Sequence, residues 1–580
     1  MSTVTAVSFP APRARFLPPG FDAGDEAALA RALRELAARP LASRAELTAW
    51  IADVDELDSA VDAAVARAAI AATRNTADVA ARDRHLHFQS RILPQARQGF
   101  DVLDRLYLGC EHRAALEPST WGVFDRLKSN QAALYRQANV PLAAEEAATV
   151  LKYDERMGSL LVPFRGEPHT PQAMAKYLDE TSRDLREQAW LALKRARLGA
   201  ADEVSALFEQ LLSLRREMAS NAGFTNYRDF RFRELDRFDY DTAECEAFHA
   251  AVEEHVVPVL SALREKRRAA LGVPRLRPWD LAVDPEGRPP LRLFRNGEEL
   301  ADLAERILRR VDTELGRQFA FLRERRLLDL DNRPAKAPGG YNQMLEDVRL
   351  PFIFANSVGL LADLKTLLHE AGHAFHTLAA RGQPVLACRR APTEFAEVAS
   401  KSLELLGCEH FAEGYAPADA ARARRQQLEH TLLGLPWVAT VDAFQHWLYV
   451  YPEHSREERV AYWTSLRQRF EPDVDHAGHM DWLALDWQRQ VHLFRYPFYY
   501  IEYGLAQVGA LQVWLNVRHK GRPALAAFRE ALALGGSRPL PELFTAAHAC
   551  FDFGPAMLGT LARAVRDAIA EIDRQAPVPA

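Results

Sequence analysis

Apolar residues recur at intervals of three and four along most of this chain, in runs rich in Ala, Leu, Arg and Glu. That spacing predicts amphipathic helices sharing a core. The pattern is nearly continuous from about Asp25 to Leu271. The stretches Asp22–Ala38 and Thr170–Leu198 are examples, with Thr170-Pro171 reading as a helix start. Gly272–Phe294 interrupts it with five prolines and predicts a non-helical insert. A second helical run reaches about Leu328. It is followed by a loop at Asn332–Tyr341 and a short apolar run, Pro351–Asn356 (PFIFAN), with strand character. Helical spacing resumes at about Leu360 and holds nearly to the end, with breaks around Gly414–Ala418, Glu471–Gly478 and Gly535–Leu540. There is no fixed-period repeat, which excludes a solenoid. The expected fold is mainly α, with a small β element just ahead of the helix that begins near Leu360.

The 580-residue length argues for two large lobes or one lobe with subdomains. A 48% hydrophobic content and a mean hydropathy of −0.24 fit a folded, water-soluble protein. The net charge of −6 argues against nucleic acid as a partner. Cys110, Cys245, Cys388, Cys408 and Cys550 show no paired spacing, so neither a disulfide framework nor a thiolate zinc motif is expected. The N-terminal residues lack a charged-then-apolar signal pattern, and no run of about 18 apolar residues occurs. Cytoplasmic location and the absence of a membrane partner are the expectations.

The helix that opens near Leu360 carries chemistry. Leu360, Leu361, Leu364, Leu367, Leu368, Ala371, Phe375 and Leu378 form its buried stripe, and Gly382 suits its end. Within it lies His369-Glu370-Ala371-Gly372-His373. Residues four apart leave a helix on one face, so the two imidazoles can bind one zinc ion per chain. Glu370 is rotated by about 100° from His369 and sits beside the metal, where a carboxylate can take a proton from a zinc-held water. A short motif also arises by chance, and two details raise its weight. Gly372 sits mid-helix, where glycine costs about 1 kcal/mol relative to alanine and marks close approach of another backbone. Polar groups on an apolar helix are costly unless something coordinates them.

A third ligand is needed. His376 lies about 10 Å along the axis from His369, too far for zinc bonds of about 2 Å on an unbroken helix. It reads as a substrate-contacting, supporting or core histidine. The next helix, Thr393–Gly407, is the better source, with Thr393 as its N-cap and Glu394 as a first-turn acid favoured by the helix dipole. Glu397 sits one turn inside among Phe395, Ala396, Val398 and Ala399, where an acid needs a partner and zinc supplies one. Glu404 shares that face, where it can orient a ligating histidine or be solvated. Further on, Tyr496, Tyr500 and Tyr503 fall on one face at spacings of four and three, after Pro497 limits the local helix. By itself this reads as a buried aromatic stripe.

These residues together resemble the M3 metallopeptidases, in particular the oligoendopeptidase F branch. The resemblance rests on His369-Glu370-Ala371-Gly372-His373 and Ala396-Glu397-Val398-Ala399-Ser400, with 23 residues between His373 and Glu397. Gly339-Gly340-Tyr341, Pro351–Asn356 and the block HLFRYPFYYIEY from His492 to Tyr503 agree with it. It extends from about Leu160 to about Leu558. It departs from the thimet branch at Arg390-Ala391-Pro392, and from the usual oligoendopeptidase F pattern at Leu403 ahead of Glu404.

The resemblance implies a two-lobed helical clam with a deep central channel that admits oligopeptides and excludes folded proteins. Residues 1–190 would form an N-terminal helical region and 191–580 the catalytic domain. His369, His373 and Glu397 would hold zinc and Glu370 would be the general base. His492 and Tyr503, with Tyr500, would stabilise the oxyanion, and Tyr496 and Tyr499 stay in reserve because the register is ambiguous by one residue. The expected activity is a zinc metalloendopeptidase acting on internal bonds of short peptides, with Pro351–Asn356 as an edge strand for the extended substrate. Oligomeric state is left open, with a monomer favoured. Two rivals remain: a zinc exopeptidase with a cationic group for the substrate C-terminus, and a peptide-binding protein that has lost catalysis.

Overall fold

The computed structural model describes residues 8–575. It is mainly helical, with a two-stranded hairpin and one three-stranded sheet among the described residues. The first helix, Glu26–Ala37, is capped by Asp25, whose carboxylate accepts from the N–H groups of Ala27 and Ala28, and it buries Leu29, Leu33 and Leu36. The Gly272–Phe294 segment carries only a single short 3₁₀ turn, Pro278–Asp280, as its prolines predict. Thr170-Pro171 starts only a turn that runs into the four-residue helix Ala175–Leu178, with the Thr170 hydroxyl accepting from the Ala173 N–H at 3.2 Å. The chain there leaves a small hairpin, Val162–Phe164 with Glu167–His169, and the long helix begins only at Arg183, where Ser182 accepts from the Leu185 N–H. A serine cap followed by Asp184 in the first turn outcompetes the proline signal.

The three-stranded sheet corrects a second expectation. Leu350–Ser357 is its central strand, parallel to Leu328–Asp331 on one side and antiparallel to Tyr341–Leu345 on the other. Phe352, Ile353, Phe354 and Ala355 are all buried. A continuous apolar run is what a strand covered on both faces requires, whereas an edge strand would alternate. The two edges belong instead to Leu328–Asp331 and Tyr341–Leu345.

Two apolar cores matter for the site. The larger spans most of the chain after Tyr153 and includes the helices Leu361–Ala380, Thr393–Cys408 and Tyr500–Lys520. A smaller one gathers N-terminal residues from Ala23 to Phe124 around Val385 and Cys388. The helix Arg44–Arg74 joins the N-terminal region to the sheet. The Thr73 hydroxyl lies 2.7 Å from the Tyr341 hydroxyl, and Arg74 Nε donates to Asp329 at 2.7 Å. Arg389, fully buried, donates to Asp55, Ser59 and Glu346 across the same seam. Among the described residues, no helix is long and apolar enough to cross a membrane.

Candidate metal centre and active site

Two helices build the centre. His369, Glu370 and His373 lie on Leu361–Ala380, and Glu397 and Glu404 on Thr393–Cys408. Their close approach depends on Gly372: a Cβ there would meet Ser400 Cα at 2.5 Å and the Ala399 carbonyl oxygen at 2.8 Å. The backbone contact expected for this mid-helix glycine is therefore present, with Ser400 as its partner.

His369 Nε2 lies 3.5 Å from Glu397 Oε2, and His373 Nε2 lies 3.8 Å from Glu397 Oε1. One donor atom from each of the three falls within 4.8 Å of the others. Two imidazole nitrogens and a carboxylate form the N/N/O set that suits a divalent transition ion of the zinc class and leaves a position open. Behind it, His369 Nδ1 lies 2.7 Å from Glu404 Oε1, and Gln427 Nε2 donates to Glu404 Oε2 at 3.0 Å. That carboxylate fixes the imidazole with Nε2 turned toward Glu397. Ser400 Oγ donates to Glu397 Oε2 at 3.1 Å and steadies the acid. The residues fit a metal.

The electrostatics follow from burial. The Glu370 carboxyl, 7% exposed, is pushed up to about 7 by burial, and the charges of Glu397 and Glu404 add to this against the opposing pull of His369. Burial also presses on Glu404, but its hydrogen bond with His369 overrides this and holds it at about 2. His373 is lowered to about 4 by burial, which keeps it neutral and available as a donor. Asn342, on the edge strand Tyr341–Leu345, donates to the Glu370 carbonyl oxygen at 3.3 Å. The edge strand thus runs beside the motif helix at the acid.

His376 is buried against Phe395, ring centroids 5.7 Å apart, and its Nε2 has no partner. Of its three readings, the core histidine is the one this placement fits. The helix carrying Glu397 begins after Pro392, so Thr393 is its first residue and not its cap. Glu394 does lie in the first turn, but the dipole is not its only partner. It is buried, and its Oε1 accepts from the Tyr240 hydroxyl at 2.7 Å.

The aromatic block is not one helical face. A five-residue helix, Val491–Arg495, ends before Tyr496, and a new helix starts at Tyr500. Between them Phe498 is fully buried with φ 64°, a left-handed conformation that costs a bulky residue on the order of 1–3 kcal/mol. The break leaves Tyr496 half-exposed at the rim, 6.2 Å from the His492 ring, and gathers the other tyrosines around the same histidine. The His492 ring lies 4.8 Å from Tyr500, 5.8 Å from Tyr503 and 6.1 Å from Tyr499. Gln490 Nε2 donates to His492 Nδ1 at 2.7 Å, which assigns the ring proton to Nε2, and Trp437 Nε1 holds the other end of Gln490 at 3.0 Å. Burial raises the hydroxyls of Tyr503 and Tyr499, and the Glu397 charge adds to both, whereas Tyr500 feels Arg489 instead. Tyr503 and Tyr499 are therefore the tyrosines on which the charge of Glu397 acts.

Two buried arginines hold this block in place, and nothing in the motifs pointed to them. Arg215 donates to the Leu493 carbonyl at 3.0 Å, to the Phe494 carbonyl and to the Tyr449 hydroxyl. Arg237 donates to the Phe498 carbonyl and, at 2.8 Å, to Glu502. For Arg215 a signal existed: it occupies an apolar position between Leu211 and Met218 at helical spacing.

Residues 176–291 and 304–562 match the sequence model of peptidase family M3, which is well over half the chain. The chain belongs to peptidase family M3. No curated protein matches it. Among solved structures, Pz peptidase A with an inhibitor is 25% identical, with a TM-score of 0.85 over 97% of this chain and 99% of that one. A protein provisionally named oligoendopeptidase F is 26% identical, with a TM-score of 0.87 over 97% of this chain and 100% of the other. A third, provisionally named oligoendopeptidase F from Bacillus anthracis str. Ames, is 23% identical with a TM-score of 0.81 over 98% and 99%; it shares the fold. The M3 assignment makes the chain a peptidase, and its helical clam-like fold is that of these neighbours.

Proposed function

We propose that this M3 peptidase is a zinc-dependent oligoendopeptidase, hydrolysing internal bonds of short peptides with Glu370 as general base. The observation that supports it most is the convergence of His369, His373 and Glu397, with Glu404 behind His369 and Glu370 alongside. These three would hold one zinc ion, which supplies a Lewis acid for the scissile carbonyl and an acidified water. Glu370 takes a proton at its carboxylate and returns it to the leaving amine, and its raised affinity for protons in this buried setting suits both tasks. The hydroxyl of Tyr503 and the Nε2–H of His492, with Tyr500 and Tyr499 in support, donate to the oxygen on which charge develops. The edge strand Tyr341–Leu345 offers unpaired backbone groups to an extended peptide and so replaces Pro351–Asn356 in that role. All five cysteines are free, in keeping with a reduced, cytoplasmic setting.

The test combines elemental analysis with Glu370→Gln. Purified protein should carry zinc at the centre, which a chelator removes together with activity and added zinc restores. Glu370→Gln should keep zinc and melting temperature but lose about 10²–10⁴-fold in turnover, because an amide cannot accept the proton. Turnover surviving Glu370→Gln would defeat the reading. Cleavage of peptides blocked at both ends separates an endopeptidase from an exopeptidase.

A further inference from the structure

A second group of metal-binding side chains lies away from the catalytic centre. Cys245 and His249 sit four apart on the helix Thr242–Ala251, and Asp442 and His446 sit four apart on the long helix Pro417–Val450. Each pair leaves one face of its helix, and the two faces meet. All four side chains are buried, with exposures of 1% for Cys245, 4% for His249, 0% for Asp442 and 6% for His446. Donor atoms of Cys245, Asp442 and His446 fall within 4.8 Å of one another.

Hydrogen bonding does not account for this cluster. His249 Nε2 takes up Asp442 Oδ2 at 2.8 Å. Asp442 Oδ1 is left buried without a partner, as are both ring nitrogens of His446. His446 Nε2 stands 3.2 Å from Asp442 Oδ2, but off the direction a hydrogen bond requires. Phe498 and Phe232 close on the His446 ring at 5.5 and 5.8 Å, and beyond Phe232 the buried Arg237 guanidinium, 4.6 Å from that ring, acts on Cys245 by its charge. A buried carboxylate oxygen and a buried imidazole without partners are costly unless a ligand takes them.

We infer that Cys245, Asp442 and His446 form a second, structural site for a divalent transition metal of the zinc class. Sulfur, nitrogen and carboxylate oxygen together favour such an ion over calcium or magnesium. A thiolate and a carboxylate neutralise its two charges, so the filled site buries no net charge. His249 holds Oδ2 and leaves Oδ1 free to ligate, the orienting role that a histidine–carboxylate pair commonly plays behind a metal. Tetrahedral bonds of about 2.0–2.3 Å put donors about 3.3–3.8 Å apart, within reach of small side-chain rotations here. The ion would tie Thr242–Ala251 to Pro417–Val450 directly beneath Phe498, whose N–H is taken by Gln445, the neighbour of His446.

Metal content and a thiolate signature test this. Zinc analysis should give about two ions per wild-type chain and about one in each of Cys245→Ser and His369→Ala. Cobalt-loaded wild type should show a near-ultraviolet thiolate-to-cobalt charge-transfer band. That band should persist in His369→Ala and vanish in Cys245→Ser, because the catalytic ligand set contains no sulfur. A chelator should lower the melting temperature of His369→Ala and leave that of the His369→Ala/Cys245→Ser double variant unchanged. Should Cys245→Ser fail to fold, the band in wild type still decides. About one zinc in wild type, lost entirely in His369→Ala, with no thiolate band in the cobalt protein, overturns the inference and leaves a metal-free Cys245–Asp442–His446 core. A single zinc that His369→Ala retains would instead uphold this site and sink the catalytic one.

Discussion

Tyr503 is the residue on which the proposed chemistry can be read most directly. Its ring stands over His492 at 5.8 Å, and the charge of Glu397 acts on its hydroxyl. A donor that bonds an oxyanion only in the transition state is worth about 10²–10³-fold in turnover. Tyr503→Phe is therefore expected to lower kcat and kcat/KM together by that factor, with KM and melting temperature nearly unchanged; steady-state kinetics and thermal unfolding check it. A rise in KM at constant kcat would make the hydroxyl a substrate contact. At this scale the motif histidines and Glu397 were legible because helical spacing and an acid among apolar neighbours are patterns in one dimension. Tyr496 was misplaced because the left-handed backbone at Phe498 splits what reads as one helix. That conformation is held from outside, by Arg237 and Gln445. Glu394 was legible as a first-turn acid, but not its hydrogen bond, since Tyr240, its partner, lies 154 residues away.

Among the elements, the pair Leu361–Ala380 and Thr393–Cys408 decides whether ligands meet. Gly372→Ala places a methyl 2.5 Å from Ser400 Cα, and backbone cannot yield as a side-chain tip can. Overpacking of this kind costs about 1–3 kcal/mol. The variant should lose that much in denaturant unfolding and also release zinc more readily than wild type in a chelator competition. A variant as stable and as metal-retentive as wild type would show that the helices need no such approach. Most helices, their breaks and the proline-rich insert follow from spacing and turn chemistry in the sequence. Strand order does not: Pro351–Asn356 was legible as a strand, but its central position depends on two partners, one of them reached only through the loop after Asp331.

At the scale of the whole molecule, the N-terminal region is clamped to the sheet through Asp329. Burial pushes this carboxyl up, but hydrogen bonds from Arg333, Lys336 and Arg74 outweigh burial and hold it well below the usual range. A depressed carboxyl adds stability above its unfolded pKa of about 3.9, and that stability is lost as pH falls through the folded value. Asp329→Asn should therefore melt below wild type by a constant margin from about pH 5 to 8, and the margin should shrink as pH falls below about 4. Thermal scans across that range check it; a margin that grows in acid would reverse the sign. The reach of the other clamps has a consequence in time. Arg215 must wait for the carbonyl of Leu493, 278 residues later, before its guanidinium is satisfied. At translation speeds of about 5–20 residues per second that delay is roughly 15–55 s. Between the synthesis of Glu397 and that of Tyr499 the nascent chain carries His369, His373 and Glu397 but neither Tyr499 nor Tyr503, so on the proposed mechanism the growing chain stays inert beside the ribosome until the aromatic block has been made.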